Sequence, residues 1–379
     1  MDFELTQEQQ LVQLMARDFA KDKIEPFALQ WDKEKHFPQD VVKAMGSLGF
    51  LGMMIPESYG GSGTGAVTYS LAMQEISFAD AGIGVVMSVA NLSCEPILKF
   101  GTEEQKLKYL VPMANGEKLG AFCITEPGSG SDAASLRTRA VLSGDNYIIN
   151  GTKLFITNGK QADVYIVMAR TDDAGGNRSI SAFIVEKGFQ GFSIGTIEDK
   201  MGLRSSTTTE VVLQDCVVPR QNLLGKEGDG FKIAMNALDS GRIGIASQAI
   251  GIARAALHEA KNYALSRKQF GKTLSGFEAI QWMITDMAIH INAANHLTLH
   301  AAYLKDKGRK LTKEASMAKL FATEGLQRTV YDALQIFGGY GYMKEYKIEK
   351  LYRDARVTTI YEGTSEVQRI VIARETLKE

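Results

Sequence analysis

The 379-residue chain is expected to fold as an α+β protein in three parts: a helical N-terminal domain over residues 1–118, a strand-rich middle domain over 119–228 and a helical C-terminal domain over 229–379. Two observations predict this. The period of the apolar residues changes twice along the chain, from helical to strand-like and back, and the length is enough for roughly two to three domains. A composition of 45% apolar and 23% charged residues is that of a compact chain, without the charge excess of a disordered one.

The first part opens with Thr6 and Gln9 spaced as a capping box, and Leu11, Leu14, Met15 and Phe19 follow at helical spacing. Pro26 closes or bends that helix. Further helices are expected over 38–48, 65–79, 83–100 and 103–114. In the middle part, strand-sized runs rich in β-branched and aromatic residues fall at 147–149, 154–156, 164–168, 180–185 and 211–213. Asn150-Gly151 between the first two is read as a hairpin turn. Evenly spaced strands without intervening helices suggest an antiparallel barrel or sandwich. In the last part, helices over 229–266, 277–305 and 313–337, with another beginning near Ser365, suggest an antiparallel bundle.

The net charge of -1 provides no basic field for nucleic acid or an anionic membrane surface, so an anionic ligand has to be bound locally. Cys94, Cys123 and Cys216 are odd in number and far apart, which argues for reduced, buried thiols rather than a disulfide framework. The first residues show neither a basic nor an apolar targeting segment, and no run of about 18 uninterrupted apolar residues occurs. A reducing cytoplasm is the expected compartment.

Several short segments bear on chemistry. Gly61-Ser62-Gly63-Thr64-Gly65-Ala66 fits a dinucleotide fingerprint by letter, but no buried strand leads into it, and nicotinamide binding is rejected. The loop from Thr125 to Asp132, with Gly128, Gly130 and three hydroxyl residues, can present several N–H groups to an anion or a heteroaromatic edge. Phe155-Ile156-Thr157-Asn158-Gly159 is a second loop of similar chemistry. Arg267-Lys268-Gln269-Phe270-Gly271-Lys272 and Gln335-Ile336-Phe337-Gly338-Gly339 read as helix ends, the first with cations at a helix C-terminus. They are also suited to a pyrophosphate or ribose. The five histidines show no metal spacing, and no metal site is assigned. Tyr361-Glu362-Gly363-Thr364-Ser365-Glu366 places one carboxylate beside a glycine and two hydroxyls. Either Thr364-Ser365 simply caps the run Val367, Ile370, Val371, or Glu362 is the lone carboxylate that proton abstraction beside a carbonyl requires.

The order of these pieces, a helical part, TEPGSGSD, strands with FITNG, RKQFGK, LQIFGGYGY, RDAR and YEGTSE, resembles the acyl-CoA dehydrogenase family over essentially the whole chain. Residues 86–100 are most similar to the short-chain, butyryl-CoA branch. The resemblance implies a middle β-barrel, a C-terminal four-helix bundle, a homotetramer arranged as a dimer of dimers, and FAD between barrel and bundle. It implies that Phe122, Ile124, Thr125, Gly130 and Ser131 in the first loop, with Phe155 and Thr157 in the second, line the flavin. A neighbouring subunit would bring Arg267, Gln269, Phe270, Gln335 and Gly339 to the adenine half, and Thr364 and Glu366 would close the cofactor site.

By the same resemblance Glu362 is the catalytic base, Gly363 adjoins the substrate, and Ser131, Phe231, Asp239 and Arg242 are CoA contacts. Other branches carry the base at the position of Gly241, where glycine cannot serve. Phe155 stands where many relatives have tryptophan. Asn91 lies where the acyl tail ends, either shortening the pocket, recognising an unusual acyl group or bonding backbone. The implied activity is α,β-dehydrogenation of a short-chain acyl-CoA with electrons passed to electron-transferring flavoprotein. The alternatives are a branched or alicyclic substrate, or an oxygen-reactive oxidase of the same fold.

Overall fold

The computed structural model describes residues 4–172 and 175–378. The N-terminal part comprises α1 (Gln7–Lys23), α2 (Ala28–Glu34), α3 (Gln39–Ser47), α4 (Gly65–Ala79), α5 (Ala81–Phe100), α6 (Glu103–Gln105) and α7 (Val111–Ala114). The capping box at Thr6 forms, with Gln9 N–H donating to Thr6 Oγ1 at 3.2 Å and Thr6 N–H to Gln9 Oε1 at 2.9 Å. Apolar residues occur all round α4 and α5, and both helices are buried almost completely. By length and composition α5 would suit a membrane, but 94% of its apolar window is covered by the fold itself. The glycine run 61–66 is a turn packed on its own chain, since a Cβ on Gly61 would stand 2.1 Å from the Ile55 carbonyl oxygen.

The middle part is an eight-stranded sheet of β1 (Gly120–Cys123), β2 (Arg139–Ser143), β3 (Asn146–Thr157), β4 (Val164–Arg170), β5 (Ile180–Glu186), β6 (Phe192–Ile197), β7 (Thr208–Pro219) and β8 (Leu223–Leu224). The order is β6-β7-β3-β2-β4-β5-β8, and β1 lies against β4. Pairing is antiparallel except that β1, and the end of β2, run parallel to β4. The expected hairpin at Asn150-Gly151 does not form. Strand β3 runs straight through it, and the tight turn lies earlier, at Gly144-Asp145 between β2 and β3. Gly151 is instead a close-approach glycine: an added Cβ would meet Thr138 Oγ1 at 2.3 Å, and the register with β7 shifts there.

The C-terminal part has α8 (Gly230–Ser266), a short hairpin of β9 (Lys268–Gln269) and β10 (Lys272–Thr273), α9 (Glu278–Asp306), α10 (Thr312–Phe337), α11 (Lys347–Ala355) and α12 (Ser365–Thr376). Alanines line the contacts, among them Ala246, Ala249 and Ala253 of α8 and Ala315, Ala318 and Ala322 of α10, so the helix axes approach closely. Helix α11 was not expected from the sequence; it buries Ile348, Leu351 and Ala355 at helical spacing.

The three parts meet at a buried lysine. Lys350 Nζ lies 2.9 Å from Asp80 Oδ2 at the start of α5 and 2.6 Å from Asp354 Oδ2. From the segment between β6 and β7, Ser205 donates to Asp80 and Leu203 N–H donates to Asp354 Oδ1 at 2.6 Å.

Candidate active site

Glu362 sits on the link into α12 with φ of 54°, followed by Gly363 at 90°. Two successive left-handed residues re-aim the chain, and for glutamate that costs on the order of 1 kcal/mol. Gly363 is required here, because a Cβ would stand 2.5 Å from Gln368 Nε2. The amide of Gln368 donates to the carbonyls of Glu362 at 3.2 Å and Gly363 at 3.0 Å. Lys319 Nζ, fully buried on α10, donates to the Gly363 carbonyl at 2.7 Å. Among the described residues the Glu362 N–H donates to no carbonyl. Thr364 does cap α12, accepting from Val367 N–H at 3.3 Å, so the capping reading and the carboxylate reading of this segment hold together.

As a residue Glu362 is partly covered, yet its Oε2 is out of reach of solvent and has no hydrogen-bond partner. Burial pushes its carboxyl up to about 7, against the downward pull of Lys319 and Arg242. Burial likewise lowers Lys319 to about 8, with Glu362 opposing that shift. Arg242 pairs with Asp239 at 2.6 Å, and Asp239 Oδ2 accepts from Thr312 at 2.7 Å. Asp239 also lines a cleft of about 630 Å³ together with Lys99, Asn236, Lys305 and Lys310.

Helix α8 faces this carboxylate with glycine. An added Cβ on Gly241 would lie 2.5 Å from Glu362 Oε2 and 3.4 Å from Leu92 Cδ1. One turn on, a Cβ on Gly244 would meet the Tyr69 hydroxyl at 2.5 Å and Ser88 Oγ at 2.7 Å. The Ser88 hydroxyl is buried beside that of Tyr69, and burial holds the Tyr69 hydroxyl well above its usual range, against the downward pull of Ser88. Asn91 does not join them: its amide donates to the carbonyls of Phe50 at 2.8 Å and Met87 at 3.0 Å and accepts from Met53 N–H at 3.0 Å. Of the openings left by the sequence, the backbone-bonding one is what the structure has.

The two loops from the middle part are brought side by side. Leu154 N–H donates to the Thr125 carbonyl at 2.8 Å. Buried Lys153 reaches Glu126 at 2.6 Å, and Glu126 accepts from the N–H groups of Arg137 at 2.5 Å and Thr138 at 3.0 Å. This pins the first loop while Gly130 and Ser131 stay exposed and the space at Gly128 and Gly130 stays open. Phe155 falls at the register shift between Lys153 and Ile156, with φ of 58°, and its ring stands 61% exposed. Thr157 ends β3 opposite Thr208. Phe122, Ile124 and Phe231 pack on one apolar cluster, so these loops adjoin the start of α8.

Arg267, Gln269 and Gly339 converge elsewhere, in a cleft of about 470 Å³ with Tyr263, Phe337 and Tyr340. Gln335 is one turn back, its carbonyl accepting from Gly338 N–H. Phe270 stands at the tip of the β9–β10 hairpin, 93% exposed. From Gly241 to Arg267 along α8 is about 39 Å at 1.5 Å per residue. This cleft is therefore remote from Glu362 within a single chain. Glu366 is exposed in the first turn of α12, its carboxyl held down by its own N–H and by Thr364.

Lys319, Gln368 and Tyr69 were not singled out in the sequence. Lys319 carried a readable signal, a charge on the alanine face of α10 between Ala315 and Ala322.

Three family models follow one another along the chain: the acyl-CoA dehydrogenase N-terminal domain over residues 6–117, middle domain over 121–216 and C-terminal domain over 228–377. The short-chain specific acyl-CoA dehydrogenase of Clostridium acetobutylicum is 50% identical over 374 residues, 98% of this chain and 99% of that one. The chain belongs to the acyl-CoA dehydrogenase family. Among solved structures, butyryl-CoA dehydrogenase from Megasphaera elsdenii superposes with a TM-score of 0.98 at 46% identity, covering all of both chains. A chain in the structure reported as the electron transferring flavoprotein of Acidaminococcus fermentans, towards a mechanism of flavin-based electron bifurcation, superposes with a TM-score of 0.99 at 50% identity, again over both chains entire. This acyl-CoA dehydrogenase thus shares its three-part architecture with enzymes of the short-chain type.

Proposed function

We propose that the protein is an FAD-dependent dehydrogenase that converts a short-chain acyl-CoA to its trans-2-enoyl-CoA, with Glu362 removing the α-proton. The observation that carries the reading is the unpartnered, buried Glu362 Oε2 facing Gly241. A thioester α-proton is too weakly acidic for a carboxylate in water. Burial that lifts Glu362 to about 7 makes it a stronger base while leaving about half of it ionised at neutral pH. The free N–H of Glu362 is a donor for the thioester oxygen as negative charge builds there.

The pinned loop at 125–132, its open glycines and the projecting Phe155 ring fit an isoalloxazine edge, with Thr125, Ser131 and Thr157 as polar partners. Flavin, when bound, supplies the acceptor for the β-hydride. Asp239, with the cleft it borders and Arg242 paired to it, suits the polar stem of CoA. The Tyr69 and Ser88 hydroxyls face Gly244, about 4.5 Å along α8 from the glycine that faces the base, which suits an acyl group about as long as butyryl.

The remote cleft of Arg267, Gln269 and Gly339, with Phe270 exposed beside it, supports a homotetramer in which each chain completes a neighbour's FAD site. Likeness to the Acidaminococcus chain supports electron-transferring flavoprotein as the electron acceptor. Three buried thiols suit a reducing compartment.

Anaerobic mixing with butyryl-CoA tests the reading. The wild-type flavin band should bleach, and Glu362→Gln should bind FAD and CoA yet bleach at least 10³-fold more slowly, on the order of what general-base catalysis contributes. Near-normal bleaching of the Gln variant would overturn the assignment.

A further inference from the structure

We infer that Lys319 is a positioning residue for the proposed base: with Gln368 it clamps the 362–363 turn and supplies the positive charge that faces the Glu362 carboxylate. The inference rests on the reading of Glu362 as the base and extends it to a group no motif contains. Glutamate followed by glycine in the left-handed region holds its direction only if the chain is tied down, and the ties are on the two carbonyls. Gln368 Nε2 donates to both, and Lys319 Nζ donates to the second at 2.7 Å. The clamp comes from two different helices, α10 and α12, and from side chains that are each fully buried.

The charge argument is separate. Lys319 lies among Ala315, Ala318 and Ala322, where an ammonium has no water to solvate it. Among the described residues its hydrogen bond goes to a neutral carbonyl, and no carboxylate oxygen lies within 4.0 Å of it. Arg242, the other cation near the base, is already bonded to Asp239 at 2.6 Å. Lys319 is therefore the cation not committed to another acid, and Glu362 is the first charge to which it couples. The remaining ionisable groups facing this place are Tyr69 from α4, Tyr361 beside the base, Glu324 on α10 and Glu366 on α12. None of these supplies a positive charge.

Holoenzyme of the wild type, Lys319→Met and Lys319→Gln would be compared in two ways. The first is the pH profile of anaerobic flavin reduction by butyryl-CoA. The second is the protonation of Glu362 itself, read as a carboxyl infrared difference against Glu362→Gln, which needs no turnover. Loss of the cation should raise the Glu362 titration by about one pH unit in both variants. Reduction at neutral pH should then fall about fivefold, approaching tenfold below about pH 6, and recover as the pH is raised. Lys319→Gln keeps a donor for the Gly363 carbonyl, so it carries the same test if Lys319→Met does not fold. A rate lowered equally at every pH, or an unmoved Glu362 titration, would overturn the role of Lys319. If acyl-CoA fails to bleach the wild type, the function reading falls on its own, and the infrared titration still decides for or against Lys319.

Discussion

A side chain on Gly241 and the carboxylate of Glu362 compete for one space: the added Cβ would be 2.5 Å from Oε2 and 3.1 Å from Cδ. Gly241→Ala therefore pushes the carboxylate aside. We expect flavin reduction by butyryl-CoA to fall about a hundredfold, as for a base displaced by an ångström. FAD content should be retained, and thermal stability should hold or rise, since alanine favours the helix by up to about 1 kcal/mol. Stopped-flow reduction and calorimetry on the same preparation check both parts.

The raised carboxyl of Glu362 also makes a statement about stability. A folded value near 7 against an unfolded 4.5 means the native state binds more protons between those limits, so its stability falls as pH rises from 4.5 to 7. Above 7 the whole cost is present, about 3 to 4 kcal/mol, and below 4.5 it is absent. Glu362→Gln should accordingly melt higher than wild type at pH 8, and the gap should close towards pH 4.5. Paired melts across that range measure it. In the wild type, the flavin-reduction rate should climb with pH through about 7.

Tyr69→Phe removes the hydroxyl that stands over Gly244. The ratio of kcat/KM for hexanoyl-CoA over butyryl-CoA should rise about tenfold, the smaller end of what one methylene in an apolar pocket is worth. Gly244→Ala should move the ratio the other way.

Asn91 separates stability from specificity. Its three backbone bonds join α5 to the chain at Phe50 and Met53, all inside the core. Asn91→Ala should leave those groups unpaired and cost about 2 to 4 kcal/mol by denaturant unfolding. The preference among C4, C6 and C8 thioesters should stay unchanged.

Phe270→Asp tests the assembly. Phe270, 93% exposed at the hairpin tip, adjoins Gln269 of the remote cleft, and a neighbour that completes the FAD site there would cover it. Light scattering should show the variant dissociating, with FAD binding weakened in step.

The helical parts were readable because long amphipathic runs and caps leave strong local signals, as at Thr6 and Thr364. What was not readable was set by contacts far apart in sequence. Asn150-Gly151 has the letters of a hairpin, but Gly151 is glycine because Thr138 crosses it, and no local pattern encodes that crossing. The parallel placing of β1 on β4 is likewise decided by where helix α5 delivers the chain. At the site, Glu362, Gly241 and the two loops were visible as motifs. Gln368 and Tyr69 were not, because each acts through a single atom aimed inward from an otherwise ordinary helix, and Lys319 showed only as a charge on an alanine face.

The lysine shared by the three parts has a consequence for how the chain comes apart. Lys350 is held between Asp80 from the first part and Asp354 from the last, and the Asp80 and Asp354 carboxylates are completed by Ser205 and Leu203 from the middle. Detaching the last part leaves the buried Asp80 carboxylate without its cation, which costs on the order of 3 to 5 kcal/mol, and detaching the middle part strips a hydrogen bond from each carboxylate. No part can then melt ahead of the others at small cost: the domains are separate in architecture but joined into one cooperative unfolding unit, with a single heat-absorption peak where three modular domains would give three.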